Sequence, residues 1–163
     1  IGDPTRTMKE RFTAVLKGHI ALAKLRFPPD TTGAQIDAFA RRALWQSGID
    51  YAHGTGHGVG AFLSVHESPP GISSRANNPL KPGMILSNEP GYYKKGAYGI
   101  RIENLMLVID DTRETDEDDR LAFETLTYIP LDERLILTED LNPEEQKWLE
   151  SYQAKAWRQS KGL

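Results

Sequence analysis

A chain of 163 residues with 39% hydrophobic and 26% charged content is one soluble domain or part of one, neither disordered nor fibrous in composition. Its net charge of −3 gives no basic footprint for nucleic acid or an anionic membrane surface, and no apolar run approaches the ~20 residues that span a bilayer. With no cysteine it has no disulfide, no thiolate metal site and no cysteine nucleophile, which fits a cytoplasmic protein.

The chain opens IGDPTRTMKERF, without initiator Met, signal peptide or polar leader. Ile1-Gly2 reads as the tail of a strand whose body is absent, so a fragment of a longer polypeptide is expected. From Thr7 to about Leu25, the residues Met8, Phe12, Val15, Leu16, Ile20 and Ala23 recur at helical spacing. Thr7 and Glu10 are placed for a capping box, and Pro28-Pro29 forbid continuation. A second helix is predicted from about Gly33 to Gln46, with Ile36, Phe39, Ala40 and Leu44 inward and Gly48 at its stop.

The next stretch, YAHGTGHGVGAFLSVHESPPG (Tyr51 to Gly71), holds three of the four histidines. It is too glycine-rich for a helix and too irregular for a long strand. A Pro-Gly turn then leads into a short strand, Met84 to Asn88. YGIRIENLMLVID carries the strongest strand signal, from about Ile100 to Ile109, and the acidic run DDTRETDEDD behind it reads as a solvated turn. A further strand is predicted from Phe123 to Ile129. The last helix, about 142–160, starts at an Asn142 cap with Pro143 at its first position and Glu144 and Glu145 complementing its dipole. Trp148, Leu149, Tyr152 and Ala156 form its apolar face. There is no internal repeat, and helices first with strands later indicate an α+β fold with a mostly antiparallel sheet.

Three imidazoles within fourteen residues, among glycines that let backbone approach closely, suit metal ligation or proton transfer near neutral pH. His53 and His57 do not form an H-E-x-x-H pair, because glycine holds position 54 and helix is disfavoured. Glu89 stands at a strand end before Pro90-Gly91, and Glu103 lies in the apolar strand, where Arg101, Glu103 and Leu105 share a face. An acid there is costly unless paired, hydrogen-bonded or coordinated. One reading is an Arg101–Glu103 pair on an exposed sheet face. The other sets Glu89 and Glu103 side by side on neighbouring antiparallel strands, where with a histidine they form an O/N ligand set suited to Mn, Fe, Co or Zn.

In order and spacing, HGTGHGVGAFLSVHESPPGI, PGMILSNEPGYY and GIRIENLMLV resemble the aminopeptidase P family, the Xaa-Pro aminopeptidase branch of the pita-bread metallopeptidases. FTAVLKGHIALA near the start and LNPEEQKWLESY near the end extend the resemblance over nearly the whole chain. It implies a partial pita-bread fold with a curved, mostly antiparallel sheet and flanking helices. It also implies release of the N-terminal residue from peptides with proline in second position, through water activated by two divalent ions, Mn(II) foremost. His57, Glu89 and Glu103 match the family's metal ligands, with Glu89 also handling the proton of the attacking water and Glu103 bridging the ions. His66 matches the histidine that contacts substrate and stabilises the tetrahedral intermediate, His53 one lining the substrate pocket, and Arg101 the arginine of the metal-site network. His19, in LKGHIAL, is assigned to structure. A proline-containing peptide as substrate and a homodimer as assembly follow from the same resemblance, and the cytoplasm, which the cysteine-free composition fits, is the expected location.

The family's site takes five ligands, two of them aspartates on strands preceding the first helix. Asp3-Pro4-Thr5-Arg6-Thr7 imitates the family's D-x-T-R-T signature, but Gly2-Asp3-Pro4-Thr5 matches a later G-x-P-T turn, and only eleven residues separate Asp3 from Val15. Pro4 also lacks the N–H that a central strand needs. Residues 1–163 are therefore read as the C-terminal portion of the catalytic domain, without both aspartates. By itself the chain is expected to be an inactive peptidase holding no ion or one weak one, and to associate through an uncovered edge or the dimer surface. The alternative is a metal-free relative that binds peptides or proteins.

Overall fold

The computed structural model describes residues 2–62, 64–111 and 119–160. Ile1, read above as a strand tail, and most of the acidic run, 112–118, lie outside these described residues. Helix α1 spans Arg6–Ala23. Its cap is Thr5 and not Thr7: the Thr5 hydroxyl accepts the Met8 N–H at 3.3 Å from an extended backbone (φ −69°, ψ 160°), the conformation a cap requires. Glu10, free of capping, pairs with Arg6 at 3.2 Å. A two-residue strand β1 (Arg26–Phe27) follows, and then α2 (Gly33–Gln46) with the predicted bounds.

Ile36, Ala40 and Leu44 of α2 are buried as the periodicity requires, but Phe39 is 45% exposed. The inward stripe is instead completed by Asp37 and Arg41, both buried, which neutralise each other across one helical turn at 2.8 Å. The two helices cross at Gly18, where a Cβ would stand 2.0 Å from the Ala40 carbonyl oxygen. Only glycine permits that approach.

The strands are β2 (Gly56–Gly58), β3 (Glu67–Ile72), β4 (Ile85–Asn88), β5 (Gly91–Lys94), β6 (Tyr98–Arg101), β7 (Asn104–Asp110) and β8 (Leu121–Thr125). Five of them join β1 in one six-stranded antiparallel sheet in the order β1-β8-β7-β4-β2-β3, while β5 and β6 pair in a separate hairpin. The predicted strand from Ile100 to Ile109 is thus two strands in two sheets. The break falls where Ile102 turns into the core under α1, its N–H reaching the Pro90 carbonyl at 3.3 Å. β8 stops at Thr125 rather than Ile129: the Leu105 backbone N–H goes to the Thr127 hydroxyl at 2.9 Å instead of a strand carbonyl, and the Thr127 carbonyl accepts the Asn104 side-chain amide at 2.8 Å. β3 contains Pro69 and Pro70 and lies at the sheet's edge, the place where prolines are tolerated.

One core packs Leu22, Ile36, Leu86, Met106 and Val108 between the sheet and the helices. A second gathers Val15, Leu16, Ile102 and Leu149 between α1 and α3 (Pro143–Ser160). Asn142 caps α3 reciprocally with Glu145, at 2.9 and 2.8 Å. Leu149, Tyr152 and Ala156 are buried along its apolar face, and Trp148, half-buried, stacks on Tyr152. The Tyr152 hydroxyl accepts from Asn104 Nδ2 at 3.0 Å, tying α3 to the start of β7. His19, 1% exposed, meets Trp148 edge-on and accepts the Asn88 amide on its carbonyl at 3.0 Å. Among the described residues, no helix is long and apolar enough to cross a membrane.

Candidate metal centre

Three adjacent strands each place one candidate ligand. His57 is the middle residue of β2, Glu89 follows the last residue of β4, and Glu103 precedes the first residue of β7. The register pairs Asn88 with Asn104, so the next residue outward on each strand, Glu89 and Glu103, must stand side by side. Gly56 brings β2 up to β4: a Cβ on it would lie 2.1 Å from the Ser87 carbonyl oxygen. This glycine therefore serves the strand packing that delivers His57. One ligand atom from each of His57, Glu89 and Glu103 lies within 4.8 Å of the others, the single such group among the described residues.

Hydrogen bonds orient these atoms. His57 Nδ1 is 2.8 Å from the Gly58 carbonyl oxygen, which can only accept, so Nδ1 carries the proton and Nε2 presents its lone pair. Nε2 then faces Glu89 Oε1 at 3.1 Å. Two acceptors at that distance call for a cation or a shared proton between them, and an N/O set without sulfur matches the ligands of Mn, Fe, Co or Zn. Ser87 accepts the His57 backbone N–H at 3.0 Å and donates its hydroxyl to Glu89 Oε1 at 3.1 Å. Such partners behind the ligands fix their orientation. Arg101, half-exposed, lies 3.6 Å from Glu89 Oε2 and 3.3 Å from Glu103 Oε2. It balances the two carboxylates, so the expected Arg101–Glu103 pair and the carboxylate pair exist together.

His66 is exposed, with its ring centroid 4.2 Å from that of His57, and both line a cavity of about 350 Å³. His53 lines a different cavity, of about 620 Å³, with Asp37, Arg41 and Tyr51. The two cavities adjoin along Gly56, Ser73 and Arg75. His53 donates from Nδ1 to the Gly54 carbonyl at 2.8 Å and offers Nε2 to the Tyr93 hydroxyl at 2.9 Å. Asp3 lines a cavity with Asp132 and Arg134 and is not in the ligand group. Ser87 and Tyr93 escaped the sequence reading, although Ser87 shares a face with Glu89 by strand alternation.

Comparison with known proteins places the chain in a family. A family model described as metallopeptidase family M24 matches residues 1–110, and one for the C-terminal region of peptidase M24 matches residues 119–163. The Probable Xaa-Pro aminopeptidase P of Laccaria bicolor is 53% identical over 161 residues, covering 96% of this chain and 25% of that protein. The crystal structure of X-prolyl aminopeptidase from Caenorhabditis elegans, described as a cytosolic enzyme with a di-nuclear active site, superposes with a TM-score of 0.89 at 39% identity, over 96% of this chain and 25% of that one. Prolidase from Pyrococcus furiosus superposes less well, at 0.67 and 28% identity, over 80% of this chain and 35% of that one. The chain spans about a quarter of the length of the curated relatives it matches. With two adjoining family models matched and a partial pita-bread fold in place, the chain belongs to metallopeptidase family M24.

Proposed function

We propose that residues 1–163 are the C-terminal portion of the catalytic domain of an Xaa-Pro aminopeptidase, which releases the N-terminal residue of peptides with proline in second position. The convergence of His57 Nε2, Glu89 and Glu103 within 4.8 Å carries this reading. These residues would hold divalent metal, with Mn(II) first among the candidates, and two such ions supply Lewis-acid activation of water and stabilisation of developing negative charge. Glu89, its carboxylate fixed by Ser87, accepts the proton of the attacking water and returns it to the departing proline nitrogen. His66, beside His57 on the cavity wall, donates a hydrogen bond to the developing oxyanion of the substrate carbonyl. His53 lines the adjoining substrate pocket, and Arg101 offsets the charge of the paired carboxylates. A cytoplasmic homodimer is part of the same reading.

The resemblance calls for five protein ligands, and the described residues offer three. The isolated chain is therefore expected to hold at most one ion, on His57 and Glu89, and to hydrolyse no Xaa-Pro peptide. The full-length polypeptide carrying it, supplied with Mn(II), should release the N-terminal residue and lose that activity to chelation. A full-length protein inert toward Xaa-Pro peptides, or an isolated chain working at the full-length rate, would refute the proposal.

A further inference from the structure

We propose that Asp37 and Arg41 of α2 are positioning residues that set His53 and Glu89 through opposite ends of the segment 50–55. The inference rests on the roles proposed above for those two residues. Arg41 uses four of its five N–H donors in buried or half-buried bonds of 2.8 Å. Nε donates to Asp37 Oδ2, Nη1 to Asp50 Oδ1 and to the Tyr51 carbonyl, and Nη2 to the His53 carbonyl. The guanidinium also lies 4.0 Å over the Tyr51 ring, whose centroid is 4.9 Å from that of His53. Tyr51 thus packs against both Arg41 and the imidazole, and the backbone of His53 is held by the same cation.

Asp37 takes the other end. Its Oδ1 accepts the Thr55 hydroxyl, which also meets the Tyr51 hydroxyl. The Thr55 carbonyl in turn accepts the Glu89 N–H at 2.8 Å. One residue, Thr55, therefore separates a buried helix carboxylate from the backbone of a metal-ligand candidate. Segment 50–55 has no regular structure of its own, and Ala52 and Gly54 offer little apolar surface to fix it. A helix needs no buried ion pair to pack, since apolar residues of similar volume do as well or better. What this pair adds is direction: one guanidinium and one carboxylate grip both ends of the segment that connects α2 to β2.

The test combines NMR on this chain with kinetics on the full-length polypeptide loaded with Mn(II). Arg41→Lys keeps the charge but not the fork of donors. It is expected to blur the single Nδ1–H tautomer of His53 in ring ¹⁵N spectra and to lower kcat by ~10- to 100-fold, with KM little changed. Thr55→Val removes the hydroxyl's bonds to Asp37 and to the Tyr51 hydroxyl and leaves the four Arg41 bonds in place. It should speed hydrogen exchange of the Glu89 amide and lower kcat, and Thr55→Ser should restore both. Because the Thr55 pair leaves the Arg41–Asp37 bond intact, it carries the test if Arg41→Lys does not fold. Variants that keep the wild-type His53 tautomer, Glu89 exchange and kcat would overturn the proposal, even if they melt earlier. Should the wild-type polypeptide cleave no Xaa-Pro peptide, the functional reading falls. The NMR arm then decides the clamp alone: perturbed His53 and Glu89 signals support it, and unchanged ones overturn it.

Discussion

Glu89→Gln in the full-length, metal-loaded polypeptide is expected to lower kcat on an Xaa-Pro peptide by ~10²- to 10⁴-fold, the usual contribution of a general base. The substitution is nearly isosteric, and the Ser87 hydroxyl, 3.1 Å from Oε1, still finds a carbonyl oxygen to donate to. What is lost is the charge that accepts a proton and binds a cation. Glu89 is 8% exposed and shares Arg101 with Glu103, so the metal-free protein holds two carboxylates around one guanidinium. Removing one of them relieves like-charge repulsion. The same variant should therefore unfold at equal or higher denaturant concentration when metal-free. A variant within tenfold of wild-type kcat would remove Glu89 from the proton-transfer role, and a large loss of metal-free stability would show that the carboxylate holds the fold.

The second large effect concerns acid. His19 is 1% exposed, and burial pushes its pKa down from 6.5 to about 4, against smaller opposing contributions from Asn104, Ile102 and Asn88. The ring is enclosed by amides, backbone and the edge of Trp148, none of which stabilises a cation strongly. Because the folded-state value is depressed, the unfolded chain binds a proton first as the pH falls. His19 thus costs nothing above pH 6.5, and stability falls progressively from there to about pH 4. At ~1.4 kcal/mol for each factor of ten in proton affinity, the loss across that window is about 3 kcal/mol, large against typical domain stability. Urea unfolding of the isolated chain at pH 7 and at pH 4.5 should show it, and His19→Gln should flatten the dependence over the same interval. A His19 imidazole that titrates near 6.5 in the folded state would contradict the account.

The candidate ligands were partly legible because metal chemistry constrains residue types as well as places. Glu89 and Glu103 stood out as acids set in apolar surroundings, while the choice of His57 among the clustered histidines came from the resemblance to the aminopeptidase P family. The pairing of Glu89 with Glu103 followed from treating their segments as antiparallel neighbours. Helices α1 and α2 were readable from periodicity, with errors where local pattern yields to tertiary need. Phe39 fits the apolar stripe of α2, yet Asp37 and Arg41 take the buried positions because their bonds to segment 50–55 exist only in the folded chain. The run from Ile100 to Ile109 has uninterrupted strand character, and nothing local announces that Ile102 turns into a different core. β3 was hidden by Pro69 and Pro70, which are acceptable only at an edge, and edge position is a property of the assembled sheet. The bonds of Ser87 to His57 and of Thr55 to Asp37 and Glu89 were not readable from the sequence, because they join segments that meet only in the folded chain.

The most direct test of the account is to locate the metal. Crystals of the full-length polypeptide grown with Mn(II), with anomalous diffraction recorded at the manganese edge, should show two ions. Nε2 of His57 and the carboxylates of Glu89 and Glu103 should be among their ligands. Ions bound elsewhere, or a centre that leaves His57 or Glu103 uncoordinated, would contradict the assignment of this site.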